Sequence, residues 1–181
     1  MKRNQKTMLI AAVVFLIALG IYFLFKDDHA DMNKASSSSA AMEFDNMDLK
    51  ESKDGKIIWR LKAAHAAVSA DKNIVTMNGV EGYFAKDGKE FHISGDKGRI
   101  DRKAKTVYME GNVEGKTGDG DTLNAENLTY DGGKDVLSTD KPFKAVKDGK
   151  ILTADSFNAD RVIEKVTAKG HAKLTDKEDA E

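Results

Sequence analysis

An apolar pattern that changes parity in mid-segment, and then recurs, constrains this chain more than any other feature. Within Phe91–Glu114, Ile93 and Gly95 share one parity while Gly98 and Ile100 share the other. Alternation marks a strand with one packed and one wet face. A one-residue slip in it needs a bulge or a strand break, and glycine at both inner positions suits either. Leu61-x-Ala63-x-x-Ala66-x-Val68 carries the same slip, as do Leu123-x-Ala125-x-x-Leu128-x-Tyr130 and Leu152-x-Ala154-x-x-Phe157-x-Ala159. Each unit is followed by a valine that opens a second strand: Val75, Val107, Val136 and Val166. After Val107 the alternation is plain, with Met109 and Val113 on one face and Tyr108, Glu110, Asn112 and Glu114 on the other. Units starting roughly thirty residues apart predict one supersecondary element stacked on copies of itself.

Five Asp-Gly pairs, at 54–55, 87–88, 119–120, 131–132 and 148–149, punctuate these segments. Asp-Gly between alternating apolar runs signals a hairpin, because both central residues of the favoured turn need positive φ. The expected architecture is antiparallel rather than a singly wound parallel solenoid. Gly79, Gly111 and Gly170 are expected where the chain bends into its next segment. "LKAAHAAV" could pass as helix on propensity alone, but its alignment with the other units makes it a strand. One proline, Pro142, leaves the ladders intact almost everywhere.

The N-terminus is different. Met8–Phe25 is an uncharged apolar run of 18 residues, about 27 Å long as a helix and close to the hydrocarbon thickness of a bilayer. Lys2, Arg3 and Lys6 precede it, which predicts a cytoplasmic N-terminus and an exported remainder. A cleaved signal peptide would have a shorter apolar region and a small-residue cleavage site; here "KDDHADMNK" follows at once. The reading is therefore a retained transmembrane anchor over 1–26 and a flexible polar linker over 27–41. A β-domain over 42–175 and a disordered tail over 176–181 complete the chain.

No chemistry is legible. His29, His65, His92 and His171 are far apart, and cysteine is absent, so disulfides, zinc–thiolate sites and a lipidated cysteine are excluded. "GDGD" at 118–121 has too few ligands for a calcium loop and reads as a turn. Without a Gly-rich phosphate loop, a nucleophile–base pair or a ligand cluster, neither a cofactor nor catalysis is expected. The 29 Lys+Arg and 30 Asp+Glu are interspersed, which argues against a nucleic-acid partner. A sheet that never closes does offer two edges able to accept a further strand. They are expected at Ile57–Ala64, with Ile57, Trp59 and Leu61, and at Val162–Thr175, with Val162, Val166, Ala168, Gly170, Ala172 and Leu174.

The apolar run followed by "DGKIIWRLKAAHAAV", "GRIDRKAKTVYMEGNVEG", "DTLNAENLTYD" and "LTADSFNADRVIEKVTAKG" resembles the LptC family of lipopolysaccharide-export proteins. It is similar also to the wider OstA-like family that includes LptA. "MEGNVEG" and "TADSF" look as much like LptA as LptC, and the anchor tips the choice. The resemblance implies an open, twisted antiparallel β-jelly roll held at the periplasmic face of the inner membrane. It implies as partners lipopolysaccharide, the ABC transporter LptBFG and a periplasmic LptA-like protein. The inward candidates for acyl-chain contact are Leu61, Val75, Ile93, Ile100, Val107, Met109, Val113, Leu123, Leu128, Val136, Leu152, Phe157 and Val166. Each taken alone is equally well explained as core, and the rival reading of the whole is a tethered β-scaffold that carries no lipid.

Overall fold

A computed structural model describes residues 40–176 apart from 87, 161 and 164. The expected anchor over 1–26, most of the linker and the tail beyond Asp176 lie outside the described residues. The described chain forms twelve strands in one antiparallel sheet, and no helix. Six are long: β1 (Ala40–Lys53), β2 (Lys56–Ser69), β3 (Ile74–Lys86), β4 (Lys89–Asp101), β5 (Thr106–Thr117) and β6 (Thr122–Asp131). Six are short: β7 (Val136–Thr139), β8 (Phe143–Lys147), β9 (Lys150–Ala154), β10 (Ser156–Asp160), β11 (Lys165–Lys169) and β12 (Lys173–Asp176).

The slip explains the architecture. In β4 the packed residues Phe91 and Ile93 give way to Gly98 and Ile100, and the β4–β5 register shifts between Ser94 and Lys97. The β5–β6 register shifts between Glu110 and Val113, where β5 holds one residue more than its neighbour. Each long strand thereby turns a crease and presents apolar side chains to the same enclosed side on both halves. After β6 the sheet divides at this crease. The C-terminal half of β6 pairs with β7, which continues through β10 to β11; its N-terminal half pairs with β8, then β9, then β12. Two layers result, joined along the crease and facing each other, as in an open jelly roll. The layer ending in β11 is called A below, and that ending in β12 is B.

Positive φ marks the crease. Asn46 (52°), Gly79 (61°), Gly111 (75°) with Asn112 (47°), and Gly170 (72°) with His171 (44°) all adopt it. The last two pairs are copies of one device. Asn112 Nδ2 donates to Asp96 Oδ2 at 2.8 Å, and His171 Nδ1 lies 2.7 Å from Asp155 Oδ2, each 16 residues apart in sequence. The aspartate folds over the glycine. A Cβ on Gly111 would lie 2.4 Å from Asp96 Oδ2 and 2.8 Å from Asp96 Cβ, and one on Gly170 would lie 2.2 and 2.9 Å from the same atoms of Asp155. Rotating the carboxylate cannot relieve the contact with its Cβ. Gly111→Ala is therefore expected to lower unfolding free energy in urea by about 2 kcal/mol, from left-handed strain and the displaced hydrogen bond. Asp96→Ala in the same chain should recover only the steric part.

The glycines expected to end strands thus lie at the crease, with Gly79 and Gly111 inside β3 and β5. The Asp-Gly turns also sort unevenly. Asp54–Gly55 and Asp148–Gly149 take positive φ at both positions as expected. Asp131 instead ends β6 and accepts hydrogen bonds from the Gly133 and Lys134 amides, and positive φ moves to Asp135. The β-structure read for "LKAAHAAV" is present as the centre of β2.

Candidate functional site: an apolar trough with two unpaired edges

The space between the layers is where the expected site residues converge. Val75, Ile100, Met109, Val113, Leu123, Leu128 and Phe157 are buried in one cluster, and Leu61, Ile93, Val107, Leu152 and Val166 pack against it. Val136 does not belong there. In β7 it is Leu137, 2% exposed, and Thr139 that face inward. The reason is register: the β4–β5 and β6–β7 turns close with four residues each, so Val136 opposite Asp131 is the counterpart of Thr106 opposite Asp101. Leu137, opposite Tyr130, matches Val107 opposite Ile100.

The sequence reading also missed the largest plugs. Phe91 is fully buried, and its ring lies against Gly115, where an added Cβ would come within 3.1 Å of Phe91 Cζ. Phe143 of β8 meets Phe157 of β10 edge-on, with centroids 4.8 Å apart, and so joins layer B to layer A. Two methionines fill the glycine positions at the crease. Met77 Cε and Met109 Cε would stand 3.2 and 3.0 Å from a Cβ on Gly98 and Gly95. In this conformation the space between the layers is closed across its middle by the protein's own side chains. Between the layers near the C-terminal end lies a narrow apolar cavity of about 50 Å³, lined by Leu123, Leu137, Phe143, Leu152, Phe157 and Val166 among others. That is the space of a water or two. A larger cleft of about 750 Å³ lies along the outer side of the crease, where Asn112, Glu114, Asn124, Glu126, Lys144 and Asp155 alternate with apolar surface from Val113, Pro142 and Phe143.

The ends of the trough differ from its middle. Partners across an antiparallel pair share a face, and Met42, Phe44, Met47 and Leu49 of β1 lie opposite Val68, Ala66, Ala63 and Leu61 of β2. These β1 side chains therefore continue the inner face. Only Met47 packs on the core; Met42, Phe44 and Leu49 are 41–49% exposed. Beyond β1 the described residues provide no further strand. The edge expected at Ile57–Ala64 is corrected accordingly. Trp59 and Leu61 pair with Glu51 and Leu49 on one side and with Phe84 and Gly82 on the other, and Ile57 pairs with Ser52. The outer face of this end is pinned by ions: Arg60 donates to Asp48 at 2.7 and 2.5 Å and holds that carboxyl below its usual range. His65 Nδ1 lies 2.9 Å from Asp45.

At the other end Val162–Thr175 is not one strand. Val162 lies in the β10–β11 turn, where the Asp160 carboxylate accepts from the Val162 and Ile163 amides. Val166 and Ala168 lie on β11, Gly170 and Ala172 at the crease, and Leu174 on β12. Positive φ at Gly170 and His171 divides the segment between the layers. β11 and β12 each pair on one side only among the described residues. Leu174, opposite Leu152 on the inner face, is 59% exposed.

A twelve-stranded open jelly roll of this kind has known relatives. The crystal structure of LptH, the LptA-homologous periplasmic component of the lipopolysaccharide transport device of Pseudomonas aeruginosa, superposes with a TM-score of 0.50. The match has 12% sequence identity and covers 65% of this chain and 93% of that one, so it speaks to fold alone. No curated protein matches the chain in sequence. The family model described as lipopolysaccharide-assembly, LptC-related, matches residues 9–175, which takes in all but the first residue of the apolar run and all but the last residue of the described strands. With nearly the whole length matched, the chain belongs to the LptC-related family of lipopolysaccharide-assembly proteins.

Proposed function

We propose that this chain is the inner-membrane-anchored, periplasmic component of a lipopolysaccharide export machine. It takes the lipid from the ABC transporter LptBFG and passes it to a periplasmic LptA-like protein, without chemical change. The observation that carries this reading is the continuity of the inner apolar face to both unpaired edges, with Met42, Phe44 and Leu49 uncovered at one end and Leu174 at the other. Such ends are unfavourable in water unless another apolar face extends them. The 18-residue apolar run at the N-terminus supplies the anchor. A cavity of about 50 Å³ is too small for an acyl chain, so loading requires the layers to separate. Each methylene taken from water into the trough then contributes about 0.8 kcal/mol. Methionine side chains over the crease glycines suit that motion, because an unbranched thioether repacks at low cost.

A photo-crosslinking residue at Phe157, where the cavity reaches the C-terminal layers, tests the reading. With the transporter present, lipopolysaccharide adducts at Phe157 should appear only when ATP is supplied. If the protein docks on the transporter and no lipid adduct forms with ATP, it is a scaffold instead.

A further inference from the structure

Three hairpins of this chain share one sequence. Lys53-Asp54-Gly55-Lys56 joins β1 to β2, residues 86–89 join β3 to β4 with Lys-Asp-Gly-Lys, and Lys147-Asp148-Gly149-Lys150 joins β8 to β9. All three turn at the same place in the fold. They close the ends of layer B remote from the crease, and so form one lip of the trough on its open side. In each, the two lysines are direct cross-strand partners. Like charges held opposite each other destabilise a hairpin, and the Asp-Gly turn would close equally well with neutral neighbours. Fold stability alone does not account for three repetitions.

The lip meets the apolar interior at one point. Lys147 and Asp121 line the small cavity together with Leu123, Leu152 and Phe157. Their side chains form an ion pair and are only 22% and 12% exposed. Lys150 is paired too, with Asp176 at 2.5 Å. Lys53, Lys56 and Lys89 are exposed and make no ion pair among the described residues. Cations thus stand on the solvent lip and, beyond the β5–β6 turn with its Asp119 and Asp121, at the mouth of a cavity whose walls are hydrocarbon. An amphiphile with acyl chains in the trough would place its headgroup at that boundary.

We propose that this lysine lip seats the phosphorylated headgroup of the amphiphile held in the trough, and that Lys147 exchanges Asp121 for a phosphate oxygen when the trough is loaded. The inference rests on the lipid-carrying function proposed above and adds the charged half of the ligand to it. Phosphate is the fitting anion, since it accepts charge-assisted hydrogen bonds from more than one lysine, and the β1–β2 and β3–β4 hairpins that carry Lys53, Lys56 and Lys89 lie side by side in the sheet.

The test compares bis-phosphorylated lipid A with its enzymatically dephosphorylated form, each bound to the detergent-solubilised full chain. The wild-type protein should bind the phosphorylated lipid about tenfold more tightly, the effect of one or two charge-assisted hydrogen bonds. Added salt should shrink that margin. Two variants divide the lip. Lys53→Gln/Lys56→Gln/Lys89→Gln removes only exposed, unpaired cations; Lys147→Gln/Asp121→Asn neutralises the inner pair without leaving a lone charge. Both should bring the two affinities within about threefold of each other, and the variant of the exposed lysines should leave binding of the dephosphorylated lipid unchanged. A wild-type protein that does not discriminate, or a margin that survives both variants, overturns the lip proposal and leaves the trough intact. If neither lipid binds the wild-type protein, the trough reading falls with it. Loss of binding to anionic vesicles, with the lipid A margin unchanged, would assign the lysines to a membrane surface and refute the proposal.

Discussion

Replacing Phe91 with alanine should cost the domain about 3–5 kcal/mol of unfolding free energy, the usual range for a deleted core phenylalanine. Three features place it in that range. The ring is fully buried. It lies on Gly115 of the adjacent strand, which has no side chain to fill the vacated volume. The backbone around it cannot collapse easily, because β4 is paired on both sides, with Phe91 opposite Phe84 and Thr117. Urea denaturation followed by Trp59 fluorescence would measure the loss. Placing bulk at Gly115 in the same chain gives a second reading. Gly115→Val alone should destabilise by crowding the ring, whereas Gly115→Val with Phe91→Ala should recover part of both losses. A loss under 1 kcal/mol for Phe91→Ala would mean that the trough's middle is not closed as described. The layers would then already stand apart, and loading would need no separation step.

The same closed middle shows where sequence reasoning succeeds in this fold. A parity slip between small residues is legible because each half-strand must turn its apolar side chains to one interior, and a crease is what reconciles the halves. The first and third strands follow the same rule and were within reach of it. Met42-x-Phe44-x-x-Met47-x-Leu49 in β1 and Val75-x-Met77-x-x-Val80-x-Gly82 in β3 are further copies of the slip. Taking β1 as one of them would have moved the edge from Ile57–Ala64 to Ala40–Lys53. Its polar outward face, with Glu43, Asp45, Asp48 and Lys50, hides the signal. Val136 failed for a different reason. A valine is a good strand former on either face, so residue type could not decide between it and Leu137; only the four-residue turn does. The division of Val162–Thr175 was signalled by Gly170–His171, the equivalent of Gly111–Asn112, but β5 runs unbroken through its crease while β11 and β12 are separate strands. Least legible were the plugs, because filling depends on neighbours across the crease: Phe91 needs Gly115, and Met109 needs Gly95.

The edge correction changes which substitution should abolish function. With β1 as the free strand, Met42→Asp/Phe44→Asp/Leu49→Asp should leave the domain folded, since all three side chains are already 41–49% exposed. Under the proposed function, however, the transporter should no longer co-purify with the detergent-solubilised chain. Docking by strand addition, as proposed, would use the unpaired backbone of β1 for affinity and its inner side chains for register. Fully covering an aliphatic or aromatic side chain contributes about 1.5–3 kcal/mol. Losing three such contacts and burying carboxylates in their place should weaken association by more than about a hundredfold. The opposite end provides the control. Leu174→Asp on β12 should spare transporter co-purification and abolish pull-down of the LptA-like protein. The equivalent change at Leu61, on a strand paired along both sides, should act on stability rather than on docking. If the β1 variant keeps the transporter bound while the domain remains folded, the first strand is not the upstream edge. The lipid would then have to enter through the side of the trough, between the lips of its two layers.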